Sequence, residues 1–539
     1  MTTSLKAPML ASPPSTRAVV LQLARFEVRT ALRHPLTWVG ALGSLWLMWI
    51  LGGDVAPILQ RDSVYLAGAM LPLAAATLLV TNYSTLRQRR LPDILDSYPS
   101  GPSLRILGVQ LGVTGPVLLT LLIQTVGLSY LLTGGPIGGI AWWELAVGPV
   151  MVALFGVGGV FLGRRLPHPI VAPVVLVGFA FLQLLASPDA QIFSSELGPV
   201  ANVEWLAPWM MPSAFEPIED LAARPSELHL GYLAALALVV VTLALPVKGW
   251  ARLARLAVAG VFVAVLVGIS LNLSSEPKSG FDWSEAAAAQ PCSVQDGVEY
   301  CAFEFYVDWI PRWQETVAAV DAIAPVTITK VMQRPPNIGF DEEGTLETPG
   351  LVLANTHWDR VGATPYHRFD LALLAAHSAV GLPTTRQTRL FTKEEIESIV
   401  EQNPGDPGDL RAQLESQPPF PQSCSAIGQA RAVVAVWLAA TALDHGPEAI
   451  QSALERLPTA NLFRPGYQHF HLPPTSVGRS DAELALGLLA RPMADVQAEL
   501  VSRWQEVVDP ATTSADLASW FGLQAPIYPA TEFVELPCL

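Results

Sequence analysis

The stretch WWELAVGPVMVALFGVGGVFLGRR, residues 142–165, decides the fold class of this chain. Its apolar part, residues 145–163, has about the length that a helix needs to cross a bilayer core of about 30 Å. Trp142 and Trp143 precede this apolar part, where interfacial aromatic residues usually lie, and two arginines follow it. The stretch therefore predicts a helix that spans a membrane.

Six further apolar stretches occur in the first half of the chain. Together with the first, the predicted spans are 37–52, 64–82, 108–132, 145–163, 169–186, 230–247 and 253–273. Fourteen lysines and arginines lie in the segments that face the cytoplasm if the N-terminus is cytoplasmic, whereas only Arg61 and Arg224 lie in the outer loops. This positive-inside bias predicts a cytoplasmic N-terminus and places residues 274–539 outside the cytoplasm.

All four cysteines lie in that outer region, at Cys292, Cys301, Cys424 and Cys538, as expected for an oxidising compartment. The turn Asp296-Gly297 predicts a two-residue hairpin, and pairing outward from it places Cys292 opposite Cys301. In such a pair the Cα atoms are about 4.5 Å apart, which allows a disulfide. We therefore predict the disulfides Cys292–Cys301 and Cys424–Cys538, the second of which would hold the C-terminal end against a helix.

Charge and motif content exclude several function classes. Residues 1–273 carry a formal charge of +3 and the remainder carries −18, so nucleic acid is a poor candidate partner. Charged residues are almost absent from the predicted spans: Glu144 lies at the mouth of the fourth, and basic residues such as Arg255 lie only at span edges, which disfavours proton-driven transport. The phosphate-binding pattern G-x-x-x-x-G-K-[ST] is absent, so ATP hydrolysis by that route would need another subunit.

Residues 16–34 predict an amphipathic helix, here called the N-terminal helix. Arg25, Arg29 and Arg33 fall on one stripe at helical spacing, and apolar residues fall on another. Such a helix would lie in the inner membrane interface with its arginines toward lipid headgroups. Glu27 lies away from the basic stripe, and we expect it to meet a basic group elsewhere. A plain juxtamembrane anchor is the alternative.

The segment TLRQRRLPDILDSYPSG, residues 85–101, lies between the second and third predicted spans. Three arginines precede a proline that can start a short helix with both charge signs and apolar residues. Such a helix suits docking into another protein, and its candidate docking residues are Arg87, Arg89, Arg90, Asp93, Ile94, Leu95 and Asp96. A solvated positive-inside loop is the alternative.

The segment EWLAPWMMPSAF, residues 204–215, has two tryptophans, two methionines and few charges. Its composition predicts a short amphipathic or re-entrant element at the outer interface, with an ordinary outer loop as the alternative.

Together ARFEVRTALRHP (24–35), the 85–101 loop and the 204–215 segment resemble the permease subunit of ABC-2 type exporters, over about residues 16–250. The additional span and the large outer region look like permeases of actinomycete-type bacteria. The resemblance implies that the 85–101 loop is a coupling helix that docks on a separate ATP-binding cassette subunit, and that two permease halves form the pathway. ATP and Mg would then be bound by that partner, and this chain would need no cofactor and would not be an enzyme.

The outer domain, residues 292–539, is predicted to be mostly helical with a small β-hairpin. Predicted helices are 304–323, 366–380, 392–402, 426–444, 447–456, 480–489, 494–508 and 513–522, and predicted strands are 325–333 and 350–355. Neither HExxH nor G-x-S-x-G is present. Two histidine groups are weak candidates for a metal site, namely His469 with His471, and His357 with Asp359, His367 and Asp370. A binding, gating or assembly role is favoured for this domain.

The predicted fold class is therefore mainly α, in a multi-pass protein of the plasma membrane with a cytoplasmic N-terminus and an extracytoplasmic C-terminal domain. Its predicted parts are a cytoplasmic segment that contains the N-terminal helix (1–36), a six-span permease-like domain (37–252), a seventh span (253–273), a linker (274–291) and the outer domain. The alternatives are a membrane-anchored outer binding or enzymatic domain and a polytopic sensor. The substrate is left open by the sequence.

Overall fold

A computed structural model describes most of the two regions that the sequence separates. The described residues are 15–52, 55–90, 102–185, 207–210, 224–245, seven positions between 257 and 268, 289–325, 328–333, 350–354, 358–360, 366–384, 387–389, 411, 420–422, 424–456, 475–528 and 538. The chain forms two compact units, an N-terminal unit of residues 1–53 with 57–280 and a C-terminal unit of residues 54–56 with 281–539. The boundary after residue 280 falls within the predicted linker.

Helices make up the described part of the N-terminal unit. In chain order they are α1 Thr16–Arg33, α2 Pro35–Gly52, α3 Leu59–Gly68, α4 Leu71–Arg90, α5 Pro102–Gly112, α6 Thr114–Leu132, α7 Trp142–Arg165, α8 Val171–Leu185 and α9 Ser226–Ala244. Ser15 caps the N-terminal helix α1 by accepting a hydrogen bond from the Ala18 N–H, at 3.3 Å. α1 ends at Arg33 because Pro35 disfavours helical backbone at His34, which is extended.

Four helical stretches of this unit are long and apolar enough to cross a membrane: Leu59–Arg89, Ser103–Leu132, Trp142–Arg165 and Ser226–Ala244. α1 and α2, bent by 61° relative to each other, provide a fifth candidate if they are counted as one span. α8 is apolar but shorter, and the predicted span 253–273 lies largely outside the described residues. Within the described residues there are thus four or five candidate spans, against seven predicted from the whole sequence.

The centre of the N-terminal unit is α7, against which α4 and α9 pack. Gly156, Gly159 and Gly163 form a stripe on α7 that meets α4 at very short range, and a Cβ at Gly159 would lie 2.2 Å from the Leu78 carbonyl oxygen. Thr81 donates a hydrogen bond from its hydroxyl to the Gly156 carbonyl, at 2.8 Å. Small residues that allow close backbone approach and polar side chains that bridge helices are the usual means of helix association in membranes.

The C-terminal unit contains a four-stranded mixed sheet of β1 Cys292–Gln295, β2 Val298–Cys301, β3 Lys330–Gln333 and β4 Leu351–Ala354. β1 and β2 are antiparallel, whereas β2 with β3 and β3 with β4 are parallel. The predicted hairpin is present, and β3 and β4 lie within the predicted strands 325–333 and 350–355, but their parallel pairing with the hairpin was not predicted. Two small sheets were not predicted: β5 Gln387–Arg389 with β6 Phe420–Gln422, and β7 Cys424–Ser425 with β8 Thr475–Ser476.

The helices of the C-terminal unit are α10 Ile310–Asp321, α11 Tyr366–Ala379, α12 Ala430–Thr441, α13 Gly446–Arg456, α14 Arg479–Leu489, α15 Met493–Ser502, α16 Trp504–Val508 and α17 Ser514–Trp520. Two predicted helices are interrupted: residues 304–309 form a 3₁₀ turn before α10, and Arg503 separates α15 from α16. The predicted helix 392–402 lies outside the described residues. α12 is buried from Ala430 to Ala440, with α11 and α14 packed against it, so it forms the core of this unit.

Both disulfides are present as paired from the sequence. Asp296 and Gly297 have φ angles of 51° and 84°, as a two-residue hairpin turn requires, and Cys292 lies opposite Cys301 with a Cα separation of 4.1 Å. The second disulfide joins Cys424 to Cys538. Two disulfides in one unit indicate an oxidising compartment, which fits an extracytoplasmic location.

The C-terminal end is held at the start of α12, as the second disulfide predicted. The Arg431 guanidinium donates to the Cys538 carbonyl at 2.7 Å, and the Gln429 amide donates to the same oxygen at 3.0 Å. The Cys538 N–H in turn donates to the Ser425 carbonyl at 2.9 Å. Hydrogen bonds to both the N–H and the carbonyl of Cys538 therefore fix this residue beside Cys424.

Candidate coupling site

Charge is divided between two sides of α1. Arg25, Arg29 and Arg33 are exposed, as the predicted basic stripe requires. Glu27 lies on the opposite side and is only 5% exposed. A buried carboxylate needs hydrogen bonds or a basic partner to offset its lost hydration. Glu27 is therefore expected to have such partners in the N-terminal unit.

Two side chains at the end of α4 provide those partners. The Gln88 amide donates to Oε1 of Glu27 at 3.0 Å, and the Arg87 guanidinium lies 3.8 Å from the same oxygen. The basic group that the sequence predicted for Glu27 is therefore Arg87, and Gln88 is an additional partner that sequence reasoning missed. No pattern in the sequence could reveal this contact, because it joins positions 61 residues apart.

Close packing of α1 on α5 fixes the position of Glu27. A Cβ at Gly112 would lie 2.8 Å from Cβ of Glu27, and a Cβ at Gly108 would lie 2.8 Å from Cβ of Leu23. Side chains at these two glycines would push α1 away from α5. The glycines thus allow the Glu27 carboxylate to reach the end of α4.

The structure brings only part of the predicted docking segment into this site. Arg87 contacts Glu27, Arg89 is exposed, and Arg90 is the last residue of α4. The other candidates, Asp93, Ile94, Leu95 and Asp96, lie outside the described residues. The contact therefore lies within one helical turn of the point at which the docking segment begins.

A second group of arginines caps the C-terminal end of α9. The Arg164 guanidinium donates to the Ala244 carbonyl, and the Arg165 guanidinium donates to the Leu243 carbonyl at 3.0 Å. Carbonyl groups in the last turn of a helix have no partner within the helix, and cations interact favourably with that end. These two arginines thus join α7 to α9. From the sequence they were expected only to contribute to the positive-inside charge bias.

Residues 207–210, here called the Trp209 segment, are buried in the N-terminal unit. The Trp209 ring lies against Gly68, where a Cβ would be 2.2 Å from the ring, and its indole N–H donates to the Val64 carbonyl at 3.1 Å. Within the predicted 204–215 element, residues 207–210 are therefore anchored in the N-terminal unit by the tryptophan, and the rest of the element lies outside the described residues.

Three further side chains hold the backbone of the Trp209 segment. Gln183 of α8 donates to the Trp209 carbonyl at 2.7 Å, and Arg224 donates to the Met210 carbonyl at 3.2 Å. A ring nitrogen of His229, in α9, lies 3.0 Å from the Ala207 carbonyl. Because the partners come from separate elements, displacing the segment would require several contacts to break together.

Glu144 is also tied to α9. Its carboxylate is 3% exposed and accepts a hydrogen bond from the Ser226 hydroxyl. The one acidic residue at the mouth of a predicted span therefore joins the starts of α7 and α9.

The histidine and acid group around α11 does not assemble a metal site within the described residues. Asp359 accepts hydrogen bonds from the N–H groups of His367 and Arg368, at 2.9 and 2.7 Å, and so caps α11. Asp370 is 4% exposed, and burial, together with Asp359, raises the pKa of Asp370 well above its usual value. Its carboxylate is 4.0 Å from Nδ1 of His367, and no third ligand converges on the pair.

One further group of possible ligands lies within the described residues, and the other histidine candidates lie outside them. Within the described residues, the one cluster of three possible ligands is Cys292, Glu299 and Cys301, and its two cysteines form a disulfide. His357, His469 and His471 lie outside the described residues.

Asp481 of the C-terminal unit accepts four hydrogen bonds. One carboxylate oxygen accepts from the N–H groups of Gly428 and Gly478, at 3.1 and 3.2 Å. The other accepts from the hydroxyls of Ser514, at 2.7 Å, and Tyr528. Burial raises the pKa of Asp481 to about 6, although these four donors act in the opposite direction. Asp481 thus joins four separate segments, which is a structural role.

No protein-family model, curated protein or solved structure matches this chain. The contact between Glu27 and the end of α4 joins two of the elements that the sequence singled out.

Proposed function

We propose that this chain is the membrane subunit of an ATP-driven exporter of the ABC-2 type, energised by a separate ATP-binding cassette subunit. The observation that supports the proposal is the contact of buried Glu27 with Arg87 and Gln88. It connects the N-terminal helix to the helix that leads into the 85–101 segment, where the partner would dock.

The contact gives a path for mechanical coupling. A displacement of the docked segment would move Arg87 and Gln88 at the end of α4, and the Glu27 carboxylate would carry that displacement into α1. Hydrogen bonds and ion pairs that involve an ionised group are stronger than neutral ones, and more so where water is largely excluded. α1 packs on α5 and leads directly into α2, so both of these helices would respond.

The proposed assembly follows from the same assignment. Two permease halves form the pathway, ATP and Mg are bound by the partner subunit, and the six-span core is followed by a seventh span and an extracytoplasmic domain. The charge bias of the loops and the two disulfides of the C-terminal unit support this topology. The Trp209 segment would close the outer end of the pathway and would have to release Gln183, Arg224 and His229 to open it.

A charge-reversal cycle tests the coupling contact. The full chain is purified from its own host, the co-purifying ATP-binding subunit is identified by mass spectrometry, and ATP hydrolysis by the complex is measured in nanodiscs. Glu27→Arg and Arg87→Glu should each lower that hydrolysis about tenfold, because each places like charges together, and the double variant should recover most of it. Arg479 and Glu483 form an exposed ion pair at 3.0 Å, so Glu483→Arg is a control expected to have no effect.

Two results would contradict the proposal. One is the absence of any ATP-binding protein from the purified wild type, which would favour a membrane-anchored outer domain. The other is unchanged hydrolysis in both single variants, which would leave the chain a transporter candidate but remove Glu27 from its coupling path.

A further inference from the structure

The outward side of α1 carries a charge pattern that the proposed coupling path does not use. Arg25, Arg29 and Arg33 are exposed and follow one another at four-residue spacing. Within the part of the chain that the structure describes, none of the three has a hydrogen bond, an ion pair or a ring contact. At a helical rise of 1.5 Å per residue, the row extends over about 12 Å.

Apolar surface flanks this arginine row. Leu21 and Phe26 are each 57% exposed, so more than half of each side chain is uncovered. Glu27 is the one acidic residue in α1, and it is turned away from the row and engaged with Arg87 and Gln88. The exposed side of α1 therefore offers positive charge and apolar groups without any negative charge.

The row also lies beside an apolar helix. α2 begins two residues after Arg33, and the Trp38 indole donates a hydrogen bond of 2.8 Å to the Leu32 carbonyl. This bond ties the end of α1 to the first turn of α2. Trp38, Val39 and Leu42 of α2 are all more than half exposed, so the apolar surface continues from α1 onto a candidate membrane span.

We propose that Arg25, Arg29 and Arg33 bind the headgroups of anionic phospholipids, with Leu21 and Phe26 inserted between the acyl chains. Guanidinium groups pair with phosphate oxygens, often through two parallel hydrogen bonds, and an anionic leaflet attracts clustered basic residues. An acidic protein surface would match the arginines but not the exposed Leu21 and Phe26 or the adjoining α2. The inference concerns lipid alone and does not depend on the proposed transport function.

The cysteine content of the chain allows a site-specific test. The structure leaves no free cysteine, so Leu21→Cys would provide a single thiol for a fluorescent label. The labelled full chain is placed in phosphatidylcholine nanodiscs that contain a minor fraction of phosphatidylglycerol, with bromine as a quencher on the acyl chains of one lipid or the other. At equal mole fraction, brominated phosphatidylglycerol should quench the label at least fivefold more effectively than brominated phosphatidylcholine.

Two kinds of control separate an anionic-lipid site from general lipid contact. Val177 of α8 is 70% exposed and has no basic neighbour in its helix, so a label at Val177→Cys should show equal quenching by the two lipids. Combining Arg25→Gln, Arg29→Gln and Arg33→Gln should abolish the preference at position 21. The matched triple change to lysine keeps the charge and should retain most of it. Raising the salt concentration should weaken the preference, because exposed charges are screened.

Two outcomes would overturn the inference. The first is equal quenching by the two lipids at position 21 of the otherwise wild-type chain. The second is an unchanged preference in the triple glutamine variant, which would assign the preference to other residues. If that variant also loses the ATP-binding subunit, the row is a protein-docking surface.

Discussion

The Glu27 carboxylate accepts a hydrogen bond of 3.0 Å from the Gln88 amide, 61 residues further along the chain. Through this bond and the neighbouring Arg87, the N-terminal helix α1 is joined to the end of α4. The bond has one end at the start of the proposed docking segment and the other end in α1. It therefore links the start of the proposed docking segment to a helix that packs on α5.

The docking segment should lose its partner when its charge is reversed. Replacing Asp93 and Asp96 by arginine places like charge beside Arg87, Arg89 and Arg90, which should disturb docking. We expect the double variant to insert in the membrane normally but to lose its ATP-binding subunit on co-purification, and the single variants to lose transport partly. Full partner binding and ATP-dependent transport in the double variant would contradict the coupling assignment.

The two units should differ in their accessibility to protease. Protease added to intact spheroplasts should remove residues 274–539 and spare the 85–105 loop, because the charge bias places them on opposite sides of the membrane. Immunoblots against tags at the C-terminus and in the loop provide the measurement. Protection of the C-terminal unit would contradict both the orientation and the assignment to an oxidising compartment.

Helix α7 should tolerate a side chain at Gly158 but not at Gly159, which belongs to the glycine stripe. A Cβ at Gly159 would lie 2.2 Å from the Leu78 carbonyl oxygen, whereas a Cβ at Gly158 would meet nothing within 4 Å. Gly159→Ala should therefore destabilise the N-terminal unit by about 1–3 kcal/mol or more, since overpacking forces the helices apart. Gly158→Ala is the matched control, and thermal unfolding in detergent gives the comparison. Equal melting temperatures for the two variants would contradict the packing of α4 on α7.

Removing the acceptor at Asp481 should be far more costly than removing its charge. Asp481→Ala leaves four donors, two of them buried and two partly buried, without this acceptor and should lower the free energy of unfolding by about 3–5 kcal/mol. In Asp481→Asn, the amide oxygen can accept from Gly428 and Gly478, and the amide N–H groups can donate to the hydroxyls of Ser514 and Tyr528. Urea unfolding followed by tryptophan fluorescence should rank the asparagine variant well above the alanine variant.

The same aspartate should make stability depend on pH. Its pKa is raised to about 6 in the folded chain, against about 3.9 when unfolded, so folding favours the protonated form. Its contribution is complete below about pH 4 and is lost as the pH rises through 6, by about 3 kcal/mol in total. The difference in unfolding free energy between wild type and Asp481→Asn should follow that course. A flat difference between pH 4 and pH 7 would contradict it.

The two disulfides should contribute unequally. Cys424–Cys538 closes a loop of 114 residues, whereas Cys292–Cys301 closes a loop of 9. In the loop-entropy model the longer loop constrains the unfolded chain more, so replacing Cys424 and Cys538 by serine should cost about 2–5 kcal/mol and more than the matched change at Cys292 and Cys301. Non-reducing peptide mapping of the wild type should recover both pairs, and crossed pairs would contradict the structure.

Features that depend on neighbouring residues could be predicted from the sequence. The turn Asp296-Gly297 sets the hairpin register by itself, and the register brings Cys292 opposite Cys301. The stripe of Arg25, Arg29 and Arg33 follows from helical periodicity alone, and the structure leaves all three exposed. Both cases rest on backbone geometry within a few residues, for which the tertiary environment is not needed.

Contacts between distant segments were decided by the tertiary structure alone. The sequence required a partner for Glu27 but did not single out Arg87 and Gln88, because that choice depends on how closely Gly108 and Gly112 let α1 approach α5. It likewise gave no sign that Trp209 would meet Gly68 and Val64, or that parallel strands would extend the hairpin. Such contacts depend on which surfaces pack together once the helices and strands have formed. The sequence around one residue carries no information about a contact residue that lies far away in the chain.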